Sequence, residues 1–303
     1  MKPLRLEPVY KETIWAGERL GRIRGLLTPG IGIAREVCAY RGSENRVADG
    51  DFAGQSIADL IRGEGIRLMG ADRSGQLVRV AYIDAREDLS VQVHPGEAQA
   101  GAVGDYEKSE AWYILEAGEG ASIIAGVNTD DRETLRAAAE HDGLEPYLVR
   151  HPVQAGDVAL IPAGMVHACG KDMLALEVGS FGGITYRLYD YGRGRCLDLE
   201  ESFRTLNPSL RCEIRHFQEK KAGKIQSAIR HSLFSADIID IEDEFTIEPR
   251  GQYYILTCVE GDCRIYAMRQ EYLLSYTETL LIPASCGRVV IKGKSRLFQS
   301  RRS

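Results

Sequence analysis

Residues 156–187 read GDVALIPAGMVHACGKDMLALEVGSFGGITYR, and the order of turn, strand, turn and histidine in this stretch decides the fold. Gly156 and Asp157 turn the chain into the apolar run VALIP, Pro162 and Gly164 supply the next turn, and His167 begins the returning strand. Strand side chains alternate between faces, so a histidine at that place points into the interior of a β-barrel. An imidazole there is a candidate metal ligand. Standing alone it is more often a hydrogen-bonded structural residue, so its neighbours have to decide.

Working outward, 77–94 (LVRVAYIDAREDLSVQVH) reads as two strands rich in Val, Ile and Tyr, broken by the charged DAREDL turn. Alternation puts Ser90, Gln92 and His94 on one face and Val91 and Val93 on the other. After a glycine-bearing loop, EKSEAWYILEAGEGASIIAGV gives two further strands, with Lys108, Glu110 and Trp112 sharing a face. Gln92, His94, Glu110 and His167 together offer two imidazoles, a carboxylate and an amide oxygen. That set suits Zn²⁺ or a similar divalent ion with water at an open position, the amide being the least usual ligand. His141, His151, His216 and His231 fall in helix, loop or connector, outside this convergence, and are read as solvated.

The remaining chain is β-rich with short helices. SIADLIRG starts on Ser56 with Asp59 three residues on and stops at Gly63; DDRETLRAAAEH starts on Asp130 and ends before Gly143; DLEESFRTL precedes the Asn207-Pro208 breaker. A polar connector runs to about Ile225, and strands follow in FTIEPR, YYILTCVEG, CRIYAMR, ETLLIPA and GRVVIKG. The 303 residues suit two lobes, a metal-binding lobe with a helical insert over 1–215 and a metal-free β lobe over 216–303. A formal charge of −6 argues against nucleic acid or an anionic membrane as partner. Seven scattered cysteines without a CxxC pair suit reduced thiols in the cytoplasm, and neither a secretory signal nor a membrane span is evident.

The residues G-x5-P-x-G-x2-H from Gly156 to His167 resemble the second motif of the cupin β-barrels. In wider compass LSVQVHP, EKSEAWYI, GDVALIPAGMVHA, LALEV and TYRLYDYGR, in this order, resemble the type I mannose-6-phosphate isomerases in their short bacterial form. The match extends to IWAGERL near the start and LLIPASCG near the end. The resemblance implies a mainly β fold of two cupin-like jelly-roll lobes, a Zn²⁺ cofactor on Gln92, His94, Glu110 and His167, and a phosphorylated hexose as substrate. It places the catalytic arginine on Arg187 and further active-site residues on Ser90, Lys108 and Glu177. The implied reaction moves a proton between C2 and C1 of mannose 6-phosphate and fructose 6-phosphate through a cis-enediol. Arg187 would stabilise the enediolate, Glu177 or a metal-bound water would handle the proton, and Lys108 and Ser90 would bind substrate.

The chain departs from that pattern in places. Where relatives usually carry a polar Asn-Ser-Asp type run it has Phe181-Gly182-Gly183, Ala81 stands where Lys is frequent, Arg35-Glu36 replaces Trp-Glu, and the first turn is reduced to Trp15-Ala16-Gly17. These changes leave the metal set intact and bear on the sugar preferred. In the C-terminal lobe, LLIPASCGR echoes the turn after Pro162 but puts Arg288 at the place of His167, and no histidine follows His231. That lobe is expected to pack and stabilise, and its sheet edges offer a surface for a homodimer contact. Two rival readings remain: a sugar-binding cupin without turnover, and a metal-dependent cupin enzyme acting on another sugar or by iron-dependent oxygenase chemistry.

Overall fold

The computed structural model describes residues 1–72 and 74–303. Short helices punctuate a chain made mainly of strands: α1 (Arg19–Arg24), α2 (Ile57–Met69), α3 (Glu97–Gly101), α4 (Arg132–Glu140) and α5 (Leu199–Thr205). No described helix is long and apolar enough to cross a membrane. The chain forms two compact units, one from residues 10–34 and 81–218, the other from 1–9, 35–80 and 219–303. The sequence predicts two contiguous lobes, 1–215 and 216–303; the division by contacts is not contiguous. Residues 1–9 and 35–80 cluster with the C-terminal strands.

The unit of residues 10–34 and 81–218 is organised by two antiparallel sheets. Its strands in chain order, of which the first three have residues 9, 35–37 and 79–80 outside it, are β1 (Val9–Glu12), β2 (Ile31–Val37), β3 (Arg79–Ala85), β4 (Val91–Val93), β5 (Glu110–Ala117), β6 (Ser122–Val127), β7 (Leu148–Pro152), β8 (Asp157–Ile161), β9 (His167–Ala168), β10 (Met173–Gly179), β11 (Tyr186–Tyr189) and β12 (Ile214–His216). The larger sheet runs β1-β2-β3-β10-β5-β8-β12 and the smaller β11-β4-β9-β6-β7. Neither ladder closes on itself, so the lobe is a pair of open sheets and not the closed barrel expected. Trp112 and Ile114 of β5, Ile161 of β8 and Ala175 of β10 meet Ile123 and Ala125 of β6 in one core, joined by Trp15 as a packing residue. The opposite face of the smaller sheet, with Val91, Val93, Ile124 and Leu188, is buried with Leu135 of α4 and Phe203 of α5. β4 thus alternates as its sequence does: valines toward the helices, and the polar set toward the other sheet.

Local signals place the helix starts well and the stops less well. Ser56 Oγ accepts from Asp59 N–H, as its spacing predicts. Gly63 does not end this helix; it bends at Glu64 and runs on to Met69, ending at Gly70 with φ +72°. The cap of α4 is Asp131, one residue beyond the expected Asp130, and accepts from Glu133 N–H at 3.0 Å. The loop expected after His94 contains the short α3.

The other unit is built on β13 (Ile225–Arg230), β14 (Phe234–Ile241), β15 (Glu244–Ile247), β16 (Tyr254–Ala267), β17 (Gln270–Ser275), β18 (Thr279–Ile282) and β19 (Val289–Arg302). Their order is β13-β14-β19-β16-β17, with β15 on β19 and β18 on β16. YYILTCVEG and CRIYAMR, expected as two strands, form the single strand β16. Glu260-Gly261 marks a shift of register between Cys258 and Glu260 instead of a turn. Alternating inward residues such as Leu256, Cys258, Cys263, Ile265, Ile291 and Leu297 make the core.

One buried ion pair tightens this unit. Arg296 and Asp240, with side chains only 4% and 3% exposed, meet through Nε–Oδ1 at 2.6 Å and a second contact at 3.2 Å. Lys221 N–H and the Gln226 amide also donate to Asp240. Burial opposes the charge on Asp240, but these donors outweigh it and hold the carboxyl below its usual range. Removing one partner strands the other, so Asp240→Ala is expected to lower unfolding stability by about 3–5 kcal/mol in denaturant titrations.

Candidate metal centre

Sheet register brings the sequence-predicted ligands together. In the smaller sheet, Arg187 of β11 pairs with Gln92 of β4, and Gln92 with His167 of β9, so the three stand in one cross-strand row. In the larger sheet Glu110 of β5 lies between Gly179 of β10 and Ile161 of β8, and Glu177 pairs with Trp112, two residues along the same face. His94 follows β4 directly. His94, Glu110 and His167 are all buried, and their ligand atoms form a compact group of metal-binding type.

The hydrogen bonds explain how these side chains are aimed. His94 Nδ1 lies 3.0 Å from the Ile184 carbonyl, and His167 Nδ1 lies 2.8 Å from the Met165 carbonyl. A carbonyl only accepts, so each Nδ1 carries the hydrogen and each Nε2 of the neutral ring turns a lone pair inward. Those two Nε2 atoms are 3.2 Å apart. Glu110 Oε2 is 3.3 Å from His94 Nε2 and Oε1 is 3.3 Å from His167 Nε2. Neither carboxylate oxygen of Glu110 has a well-formed hydrogen bond. Gln92 lies beside the cluster with its amide nitrogen 3.3 Å from His167 Nε2, so as oriented it offers an N–H to that lone pair and not its oxygen to the centre.

This donor set fits a metal ion. Nitrogen and oxygen ligands about 2.0–2.2 Å from a tetrahedral centre stand about 3.3–3.6 Å from one another, and the spacings here lie at or just under that range. Opposed lone pairs and an anion in a buried space repel one another and need a cation among them.

Lys108 supplies one positive charge at the edge, with Nζ 2.7 Å from His94 Nε2 and 2.8 Å from Glu110 Oε2. Burial, and then the Lys108 charge, push the His94 imidazole down to about 3. For Glu110 burial acts in the opposite sense but is outweighed by Lys108 and the two imidazoles, which hold its carboxyl well below the usual range. At neutral pH His94 is therefore a neutral imidazole and Glu110 a carboxylate, the protonation states that ligation needs.

The remaining predicted residues fall around it. Arg187 Nε donates to Ser90 Oγ at 3.4 Å, its Nη1 donates to the Cys196 carbonyl at 2.8 Å, and its own N–H is taken by Asp198. Beyond it, Asp190 is clasped by Arg193 and Arg195, so those two cations are spent on folding the loop that carries Cys196. Phe181 is buried and meets Tyr106 edge-on, with ring centroids 6.4 Å apart. The glycine after it is demanded by space: a Cβ on Gly182 would lie 2.1 Å from the Tyr106 carbonyl oxygen. The Phe181-Gly182-Gly183 departure thus has a packing cause.

The other histidines stand apart from the metal group but are not simply solvated. His151 lies in β7 and His216 in β12; His151 bonds the Ala125 carbonyl, His216 bonds Asp157, and His141 bonds the Ala137 carbonyl. Sequence reasoning missed the two carbonyls of Met165 and Ile184, which leave no side-chain signal, and Asp105, which reads as an ordinary loop acid.

Over 99% of its length the chain is 30% identical, across 315 aligned residues, to Mannose-6-phosphate isomerase ManA of Bacillus subtilis strain 168, of which it covers 98%. The chain belongs to the mannose-6-phosphate isomerase family. A second relative, the Mannose-6-phosphate isomerase of Streptococcus mutans, is 29% identical over 93% of the chain and 92% of its own length. The family model for the mannose-6-phosphate isomerase cupin domain matches residues 224–302, in the unit that lacks the metal group.

Among solved structures, that of the mannose 6-phosphate isomerase from Bacillus subtilis superposes with a TM-score of 0.87 at 24% identity, covering 99% of this chain and all of the other. The apo form of the Salmonella typhimurium enzyme gives 0.78 at 17% identity, with both chains fully covered. These likenesses establish the mainly β, cupin-like fold with open sheets. Among the described residues, His94, Glu110 and His167 are the one cluster of metal-binding type, and Arg288, at the place of His167 in the other unit, is exposed.

Two outcomes are expected of this family member. Glu110→Gln should weaken divalent-metal binding, measured by chelator competition, by more than the ~10–100-fold typical of changes outside the ligand set. In metal-free protein the His94 ring should stay neutral down to about pH 3. Between the free histidine value of 6.5 and that point only the unfolded chain binds the proton, so stability falls as pH drops through the window; ring ¹⁵N shifts against pH check the assignment.

Proposed function

We propose that this protein is a zinc-dependent aldose-ketose isomerase that interconverts D-mannose 6-phosphate and D-fructose 6-phosphate. The observation that carries the reading is the cluster of His94, His167 and Glu110 ligand atoms at tetrahedral spacing, with Gln92 beside it, in a chain that matches a relative bearing that enzyme's name over 98% of the relative's length. Imidazole and carboxylate with an open position are common zinc ligands, and the bound ion would polarise the sugar oxygens as a Lewis acid.

The chain's own residues do the rest. The reaction removes a proton from C2 of the aldose and returns one to C1, so a single base on one face of a cis-enediol serves both steps. Glu177 stands on the same sheet face as Glu110 and is half-buried, and it is the proposed base. Arg187, with its guanidinium held between Ser90 and the Cys196 carbonyl, faces the oxygen on which negative charge develops and stabilises the enediolate. Lys108 and Ser90 bind and orient the substrate, and with Arg187 they supply local positive charge in a protein of net charge −6. All seven cysteines are free thiols, five of them buried, which supports the cytoplasm as the working compartment.

Metal analysis of the purified protein, coupled to an isomerase assay on mannose 6-phosphate before and after chelation, tests the reading. Zinc near one equivalent, with turnover that is lost on chelation and restored by zinc, is expected. Absence of turnover in zinc-replete protein overturns the reading, and iron with oxygen uptake replaces it by oxygenase chemistry. Arg187→Ala should keep its zinc and lose about 10²–10³-fold in kcat, the scale of one oxyanion-stabilising group.

A further inference from the structure

A carboxylate with no part in the reaction above is linked to a proposed metal ligand through one backbone residue. The Ile184 carbonyl accepts from His94 Nδ1–H at 3.0 Å. The Ile184 N–H and the Gly183 N–H both donate to the same oxygen of Asp105, at 3.2 and 3.0 Å. Asp105 is half-buried in the loop between α3 and β5, and its own N–H is fixed on the Ala100 carbonyl at 2.9 Å. Two N–H groups on an ionised oxygen make a charge-assisted clamp, stronger than a pair of neutral hydrogen bonds.

The segment needs such a clamp. Two adjacent glycines give residues 182–183 wide conformational freedom, so whatever fixes the Ile184 carbonyl must come from outside the segment. Backbone contacts supply part: Gly182 N–H donates to the Glu107 carbonyl at 3.1 Å, and Ser180 N–H to the Ser109 carbonyl at 2.8 Å. Asp105 is the side chain that reaches Gly183 and Ile184, the two residues nearest the acceptor of His94.

We infer that Asp105 is a positioning residue of the metal centre: it fixes residue 184, and thereby holds the His94 ring in the tautomer and direction that turn Nε2 inward. This inference rests on the proposal that His94 ligates zinc. A ligating imidazole keeps its orientation through the bond made by its other nitrogen, and loss of such an outer partner typically costs about 10–100-fold in metal affinity. Asp105 touches neither ligand atoms nor substrate, so its loss acts through geometry alone.

The test is zinc affinity of the full-length chain, measured by competition with a chromophoric chelator for wild type, Asp105→Ala and Asp105→Asn, with thermal melts of the metal-free forms beside it. Asp105→Ala is expected to bind zinc at least about tenfold more weakly. Asp105→Asn keeps an oxygen for the same N–H pair and should recover most of that loss. Should Asp105→Ala fail to fold, Asp105→Ser carries the test, because its shorter side chain lacks the reach. Equal zinc affinity in folded wild type and Asp105→Ala, or a lowered melting temperature without a change in affinity, overturns the inference. Failure of the wild-type chain to bind zinc defeats the underlying reading of the site, a result distinguishable from the other two.

Discussion

Two backbone carbonyls, of Met165 and Ile184, govern the chemistry available to this molecule. Each binds the Nδ1–H of one buried histidine and so decides which nitrogen of the ring is left with a lone pair. Without those bonds the imidazoles could exchange tautomers or rotate, and the spacing of Nε2 atoms and Glu110 would be lost. The sheets serve this arrangement. Hydrogen-bonded register sets Gln92 beside His167, while β5 in the facing sheet brings Glu110 to within reach of both rings. The apolar core around Trp112 and Ile114 keeps water away from one side and makes an unbalanced charge there costly.

Much of the site was legible because strands alternate. Period-two reasoning alone set Ser90, Gln92 and His94 on one face, and the turn chemistry of Pro162 and Gly164 located the start of β9 at His167. The family resemblance implies a role for Arg187, which register places in the row of Gln92 and His167. What escaped was carried by backbone atoms or by residues whose type says nothing about their place. The carbonyl of Ile184 has no signature in composition, and Asp105 looks like any acid in a loop. The bulge at Glu260-Gly261 looks like a turn because both are written with glycine; only the partner strand β19, running alongside without interruption, distinguishes them. Gly63 failed as a helix stop for a similar reason, since contacts of Leu68 and Met69 with the core carry α2 past it.

The second unit shows what the fold is worth without the ligands. It keeps the β architecture and a turn like that after Pro162, but its polar interior goes to the Arg296–Asp240 pair, a structural use of charge in which every partner is fixed. The contrast between the units is one of satisfaction. Asp240 has a hydrogen-bond donor for each of its oxygens, whereas Glu110 has the Lys108 charge beside Oε2 and no well-formed hydrogen bond on either oxygen. That difference separates a stabilising charge pair from a binding site more sharply than residue type does.

The division of the chain also bears on the order in which it can fold. Residues 1–9 and 35–80 belong with strands that lie beyond residue 218, so during synthesis they wait while residues 81–218, the larger part of the other unit, are made. That sheet pair has all its strands in hand by Ile214–His216 and can assemble early. The early segments, including α2 with its buried Ile57, Leu60 and Leu68, have apolar surface to hide, and part of what holds α2 comes late, since the Leu68 carbonyl accepts from Ala284 N–H. Closing the second unit therefore demands contacts of long sequence separation, the slow kind, and it is there that folding of this protein is most exposed to aggregation.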